Sequence, residues 1–271
     1  MRSMRSVALV GGSRTGRAEP RRAALRHLAE SLDPSHFDVL STDLFDTVLL
    51  RDHTVEGERL ARGAHRAAAV LGVDPDTVVR LRWTLHDAAY QAVAMERAEG
   101  DARLSAICHT MARALGFTDA TDVVRAADVL RAAEVAVDIE HLRPHRSLLH
   151  VFDRAARAGI RVIAVSDTQY SERDLVRILD DVVGPSAIDA IYSSADLGLT
   201  KHAGGIFDEV VRREDVPASR FVHVGDNVDA DVTRARSAAW HAVHLPRERR
   251  HRTSKLAGKV LALPLAMRRA R

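Results

Sequence analysis

Phe37-Asp38-Val39-Leu40-Ser41-Thr42-Asp43-Leu44-Phe45-Asp46-Thr47-Val48 opens as a β-like run and ends in a polar loop that begins with a carboxylate. On the C-terminal side, residues from about 54 to 140 are nearly all helix-forming. The breaks at Gly72, Gly100 and Gly116 and the start signals Asp74-Pro75 and Thr121 divide this block into four helices near 55–71, 75–97, 101–115 and 121–137. On the N-terminal side, residues 19–32 read as a short amphipathic helix with Pro20 at its start.

Strand and helix alternate after the helical block. A helix opens at Pro144 and ends at Gly159, and Ile160–Val165 is a buried-strand pattern. Ser171 caps a helix to Asp181, followed by a strand at 188–192, a helix at 203–213, the strand Phe221–Val224, a helix at 228–238 and a strand at 241–245. Apolar strands alternating with helices predict an α/β fold, a Rossmann-like parallel sheet flanked by helices with right-handed crossovers. One strand before the helical block and the others after it predict an inserted all-helical cap over the carboxyl ends of the strands, where such sheets bind ligands. The expected division is an N-terminal leader and helix at 1–36, a core at 37–51 plus 143–246, a cap at 52–142 and a basic C-terminal tail at 247–271.

Four polar clusters fall at predicted strand ends: Asp43–Val48, Ser166-Asp167-Thr168, Lys201 in Leu197–Lys201, and Gly225-Asp226-Asn227-Val228-Asp229-Ala230-Asp231. Each alone also reads as turn or cap chemistry. Together they fit phosphoryl transfer. A carboxylate attacks phosphorus in line, and attack by one anion on another needs Mg²⁺ and a fixed amine to neutralise charge. Hydroxyl and backbone N–H groups hold the phosphate oxygens. Lysine usage adds weight: of 40 Lys and Arg residues only Lys201, Lys255 and Lys259 are lysine, and the last two lie in the basic tail.

With its motifs in this order, the chain resembles the haloacid dehalogenase superfamily over roughly residues 37–245. Its first and second motifs are most similar to HAD-like hydrolases associated with sugar and polysaccharide biosynthesis. The resemblance implies Asp43 as nucleophile and Asp46 as acid/base. It also implies Ser166, Asp167 and Lys201 as phosphate-binding groups, and Asp43, Phe45, Asp226 and Asp231 as the Mg²⁺ site. One position departs from the phosphatase pattern: two residues after the nucleophile stands Phe45, and the aspartate comes three after. An aromatic there is similar to the metal-independent 2-haloacid dehalogenases. The dense acidic fourth cluster favours a Mg²⁺-dependent phosphatase acting on a small-molecule monoester. A 2-haloacid dehalogenase, a catalytically degenerate domain that binds phosphate or a partner, and a phosphomutase are the alternatives. Phosphonatase chemistry is disfavoured, because residues 1–200 contain no lysine to form a cap Schiff base.

Candidate substrate contacts are Arg51, His53, Gln169, Tyr170 and Asn227, with Arg82, His86 and Tyr90 on one helical face at i, i+4, i+8. His223, within a strand, reads as a core histidine.

Composition sets the outer bounds. In a 271-residue chain with 46% apolar and 28% charged residues, one cysteine, Cys108, excludes a disulfide framework and reads as a buried thiol. Only a short apolar run, Val7–Val10, follows the first arginines, so no signal peptide is expected and the chain reads as cytoplasmic. Residues 1–26 carry +6 and residues 247–271 carry +8, which against a total of +3 leaves −11 on residues 27–246. The acidic body argues against nucleic acid as a partner. Gly11–Gly16 lacks both P-loop and dinucleotide spacing and reads as a leader. Leu256–Met267, broken by Pro264, is a weak candidate for peripheral membrane contact.

Overall fold

The computed structural model describes residues 19–96, 100–186 and 188–247. The Gly11–Gly16 and Leu256–Met267 readings fall outside those residues.

The chain begins with α1 (Glu19–Ser31) and β1 (Val39–Thr42), then β2 (Leu49–Arg51). The cap helices follow: α2 (Glu56–Leu71), α3 (Pro75–Glu96), α4 (Leu104–Ala114) and α5 (Ala120–Glu140). β3 (Leu142–Pro144) returns to the core, which continues through α6 (Arg146–Arg157), β4 (Arg161–Ser166), α7 (Glu172–Val182), β5 (Ala190–Ser193) and α8 (Ser194–Leu197). It ends with α9 (Gly205–Glu214), β6 (Phe221–Gly225), α10 (Arg234–Ser237) and β7 (His241–His244).

The five-stranded sheet has the order β5-β4-β1-β6-β7, every pair parallel. Its strands are apolar on both faces because helices cover both. Along β4, Val162 and Ala164 join the core beneath α6, α7 and the cap, while Ile163 and Val165 join Phe207, Phe221 and Trp240 on the opposite side. With β1 central and fully buried, its carboxyl end sits mid-sheet, and Asp43 is the first residue past that end.

Two short strands not expected from the sequence form the hinge between core and cap. β2 and β3 pair antiparallel, Leu49 with Pro144 and Arg51 with Leu142, so the chain leaves and re-enters the core side by side. Gly72 ends α2 in the left-handed region at φ 68°, where a side chain is disfavoured, and Asp119 caps α5 by accepting from the Thr121 and Asp122 N–H groups.

Three expectations need correction. The helix expected at 19–32 is present but belongs with the core and is not set apart from it: α1 packs on α6 and β7, with Leu28 fully buried and the Arg21 Nε donating to His145 Nε2 at 2.9 Å. The helix expected at 228–238 is a π-helical turn at Val228–Thr233 followed by the four-residue α10. This widened turn points Asp231 back at the sheet, and π-bulges of this kind are frequent at functional sites. Arg247, assigned to a solvated tail, instead reaches into the cluster of acids described next.

Candidate active site

Asp43 follows β1 at the centre of the sheet, and its N–H donates to the Val224 carbonyl at 2.9 Å, tying it to the end of β6. Lys201 enters from the loop after α8. Its Nζ donates at 2.7 Å to Asp43 Oδ1 and at 2.7 Å to Asp231 Oδ1, and it is 3% exposed. Asp231 Oδ1 also lies 3.3 Å from His223 Nε2, and its Oδ2 accepts from the Asn227 N–H at 2.9 Å. Gly225 makes this geometry possible, because a Cβ there would lie 2.2 Å from Asp231 Cγ. One oxygen each from Asp43, Asp226 and Asp231 lie within 4.8 Å of one another, a spacing suited to a shared cation.

Burial pushes the Asp43 carboxyl up to about 7, with Asp231 and Asp226 adding to the shift and Lys201 opposing it. Burial likewise raises Asp226, against the pull of Arg247. Asp231 goes the other way: burial pushes it up, but Lys201 and His223 together outweigh that and hold it below the usual carboxylate range. Burial works against the Lys201 ammonium too, but Asp43, Asp231 and Asp167 overcome it and keep its pKa above the ordinary lysine value. His223, fully buried with Nδ1 2.8 Å from Ser41 Oγ, is lowered by burial and sits neutral in the core, as its strand position suggested.

The formal balance is uneven. Among the described residues Asp43, Asp226 and Asp231 pair with the cations Lys201 and Arg247, three carboxylates against two cations in a largely buried space. A divalent cation held by Asp43, Asp226 and Asp231 fits that deficit. Phe45 has no side-chain donor and would have only its main-chain carbonyl to offer. Ser166, 1% exposed at the end of β4, has an Oγ with no hydrogen-bond partner among the described residues. A buried orphan hydroxyl is costly unless something meets it.

Asp46 is 3% exposed and adopts φ 66°, a conformation more usual for glycine. Its Oδ2 faces Arg247 Nη2 at 3.4 Å, and Arg247 Nε bonds Asp226 Oδ2.

Beside these groups a cavity of about 220 Å³ separates core from cap. Phe45, Arg51, Thr168, Gln169 and Tyr170 line it from the core side, and Glu56, His86, Tyr90 and Asp101 from the cap. The Arg51 guanidinium stacks 4.2 Å from the Phe45 ring centroid, and its buried Nε has no hydrogen-bond partner among the described residues. Arg82, on the same helical face as His86 and Tyr90, sits behind the wall. Its Nε and Nη2 bond both oxygens of Glu134 at 2.7 and 2.8 Å, and Nη2 also reaches Gln169 Oε1 at 2.9 Å. The Tyr170 hydroxyl donates to Asp138 Oδ2 at 2.9 Å.

Asp167 also lines the cavity, and its carboxylate accepts from the Lys201 and His202 N–H groups at 2.7 and 3.1 Å, so its oxygens hold the lysine loop. Two expected contacts lie elsewhere. His53 is exposed beyond the hinge and absent from the cavity wall. The Asn227 side chain is spent as a cap, its Oδ1 accepting from the Asp229 and Ala230 N–H groups. Cys108 is buried in the cap core with its pKa raised by burial, an inert thiol. Arg247, Glu134 and Asp138 were missed. The first lay in a charge run, and the other two sit on a long helix with no local signal for which face is buried.

A buried carboxylate bonded to a buried lysine, next to an acidic turn at the carboxyl edge of a parallel sheet and beneath a helical cap, fits a hydrolase architecture. The chain belongs to the haloacid dehalogenase-like hydrolase family, whose model matches residues 79–239, more than half of its length. Among solved structures it is similar to a 2-haloacid dehalogenase from Pseudomonas syringae pv. Tomato DC3000, at 19% identity over 76% of this chain and 85% of that one, with a TM-score of 0.53. A haloacid dehalogenase-like family hydrolase from Xanthomonas campestris gives 16% identity, 78% and 82% coverage and a TM-score of 0.45. CbbY from Rhodobacter sphaeroides, in complex with xylulose-1,5-bisphosphate, gives 20% identity, 76% and 84% coverage and 0.43. At these identities the likeness speaks for the fold. No curated protein matches the sequence. Among the described residues no helix is long and apolar enough to cross a membrane.

Proposed function

We infer that this hydrolase is a Mg²⁺-dependent phosphatase acting on a small-molecule phosphate monoester through an aspartyl-phosphate on Asp43. The observation that carries the reading is the set of three carboxylates, Asp43, Asp226 and Asp231, one oxygen from each lying within 4.8 Å of the others, with Asp43 and Asp231 both bonded to Lys201. A metal-independent reaction on a haloacid carboxylate gives no reason to gather that much negative charge at the nucleophile.

In this reading Asp43 attacks phosphorus and forms an acyl phosphate as the P–O bond to the leaving group breaks. Water then attacks the acyl phosphate, regenerates Asp43 and releases inorganic phosphate. Lys201 holds the Asp43 carboxylate in place and donates to the transferring phosphoryl oxygens, and the orphan Ser166 hydroxyl supplies a second donor. Asp43, Asp226 and Asp231 would hold Mg²⁺, which when bound offsets the charge of the transferring group. The leaving group occupies the cavity lined by Phe45, Gln169 and Tyr170, and the cap excludes bulk water from it. A phosphate-ester panel with and without Mg²⁺ tests this. Asp43→Asn should abolish metal-dependent phosphate release, and retained turnover in that variant sinks the reading.

One observation favours a second reading, a 2-haloacid dehalogenase. Phe45 occupies the position two after Asp43, and an Arg51 with an unpartnered Nε lies over its ring, offering a cation to a halide or carboxylate. That enzyme would release halide from 2-haloacids and be indifferent to chelators.

A further inference from the structure

Arg247 is placed by its neighbours. The Leu245 N–H donates to the Gly225 carbonyl at 2.8 Å, the Pro246 carbonyl accepts from Arg21 Nη1 at 3.2 Å, and His244 Nε2 lies 3.1 Å from the Asp226 carbonyl. The chain beyond β7 is thus fastened to β6 and to α1 up to the residue before Arg247. From there the guanidinium turns inward, its Nε bonding Asp226 Oδ2 and its Nη2 facing Asp46 Oδ2 at 3.4 Å. The Asp226 side chain is only 5% exposed, whereas that of Arg247 is 38% exposed, so the cation lies at the mouth of the cluster and the carboxylate lies inside. Lys201 is committed to Asp43 and Asp231, which leaves Asp226 as the metal-site carboxylate that Lys201 does not bond.

We propose that Arg247 is an intrinsic cation clamp, a tethered guanidinium that occupies Asp226 and must swing off it before a divalent ion can be bound. The clamp rests on the metal reading above and adds to it a competition built into the chain. A ligand that meets its site closed in part of the population binds with an affinity reduced by the open fraction. The same coupling runs in reverse: a bound ion loosens Arg247, so ion binding and the position of the Arg247 guanidinium are linked.

The test is calorimetric titration of Mg²⁺, with Mn²⁺ as a second probe, into wild-type protein and the Arg247→Ala and Arg247→Gln variants. Melting curves in chelator establish that each variant is folded. Both variants should bind the ion about tenfold more tightly than wild type, and their melting temperature should rise more on adding Mg²⁺. Arg247→Lys, which keeps the charge but loses the planar fork, should fall between. Equal affinity in all four proteins, or weaker binding in Arg247→Ala, overturns the clamp and leaves the metal reading standing. Absence of binding to every protein removes the metal reading and the clamp with it. Binding by the variants alone supports both.

Discussion

Replacing Lys201 with methionine keeps the length and apolar stem of the side chain and removes the one ammonium bonded to both Asp43 and Asp231, each at 2.7 Å. Both carboxylates are buried, at 8% and 1% exposure, so water does not take over the role. Breaking a buried pair by deleting one partner costs about 3–5 kcal/mol, because the remaining charge is left uncompensated. The site has one escape, which is to bind a proton. Asp43 already titrates near 7, and loss of the amine raises it further. Between pH 7 and 8 the wild-type carboxyl goes from about half to mostly ionised in the folded state, while the variant's still holds its proton. The unfolded chain is ionised in both, so the variant loses stability more steeply with rising pH. One pKa unit corresponds to about 1.4 kcal/mol, and allowing for the part of the wild-type titration that extends past 7, the destabilisation should grow by about 1 kcal/mol over that unit. Urea unfolding of both proteins at pH 6, 7 and 8, in chelator, measures it. A penalty under about 1 kcal/mol that is also flat with pH would show that Lys201 is not neutralising these two acids, and the charge argument for the site would fall.

Gly225→Ala puts a methyl 2.2 Å from Asp231 Cγ, a clash with a side chain already held by Lys201 and the Asn227 N–H. It should destabilise by about 1–3 kcal/mol and weaken Mg²⁺ binding, read by melting curves and calorimetry. For pH, Asp43 must be ionised to attack, so at limiting Mg²⁺ activity should climb to a plateau above about 7, and saturating Mg²⁺ should move that limb to lower pH. Its effect on stability has the opposite sense. The raised folded-state pKa means the native state holds a proton that the unfolded state has released, so this group's contribution falls as pH rises from its ordinary value of 3.8 to about 7.

The parts of the molecule that could be read from sequence are those whose signal is local. β1, β4 and β6 are buried on both faces because helices cover both, and that leaves continuous apolar runs such as Val162–Val165. The cap helices are bracketed by Gly72, Gly116 and the Asp119-Ala120-Thr121 start. What escaped depends on tertiary contact. β2 and β3 are three residues each, too short to show a period, and exist because they pair with one another. Asp167 follows Ser166 and so resembles a phosphate loop, but the lysine loop 34 residues later supplies the N–H groups that claim its carboxylate. Arg247 opens a run of like charges that reads as solvated, and only the anchoring of Leu245 and Pro246 turns it inward. The stripe of Arg82, His86 and Tyr90 was visible as a helical face. That Arg82 would be taken by Glu134 while His86 and Tyr90 reach the cavity required the packing of α5.

Phe45 and Asp46 bear on how the leaving group is protonated. The φ 66° backbone at Asp46 and its N–H bond to the Leu49 carbonyl at 2.8 Å send two consecutive side chains in different directions. Phe45 goes to the cavity, its ring 6.0 Å from that of Tyr170, and Asp46 goes to Arg247 on the Asp226 side, outside the cavity wall. An acid that serves the leaving oxygen must lie within hydrogen-bond reach of it. In the phosphatase reading Phe45 stands where such an acid is needed, Asp46 adds to the negative charge around Arg247 and Asp226, and protonation is expected to fall to water unless a cap group at the cavity, Glu56, His86 or Asp101, supplies the proton. General acid catalysis contributes typically 10²–10⁴-fold, and that factor matters most for alkoxide leaving groups. Nitrophenyl phosphate should consequently be hydrolysed faster than an alkyl phosphate of similar size by about that margin, and Asp46→Asn should leave the ratio unchanged. A kcat/KM indifferent to leaving-group pKa in the wild type, and made dependent on it by Asp46→Asn, would show that Asp46 turns to the substrate after all and that the loop rearranges on binding.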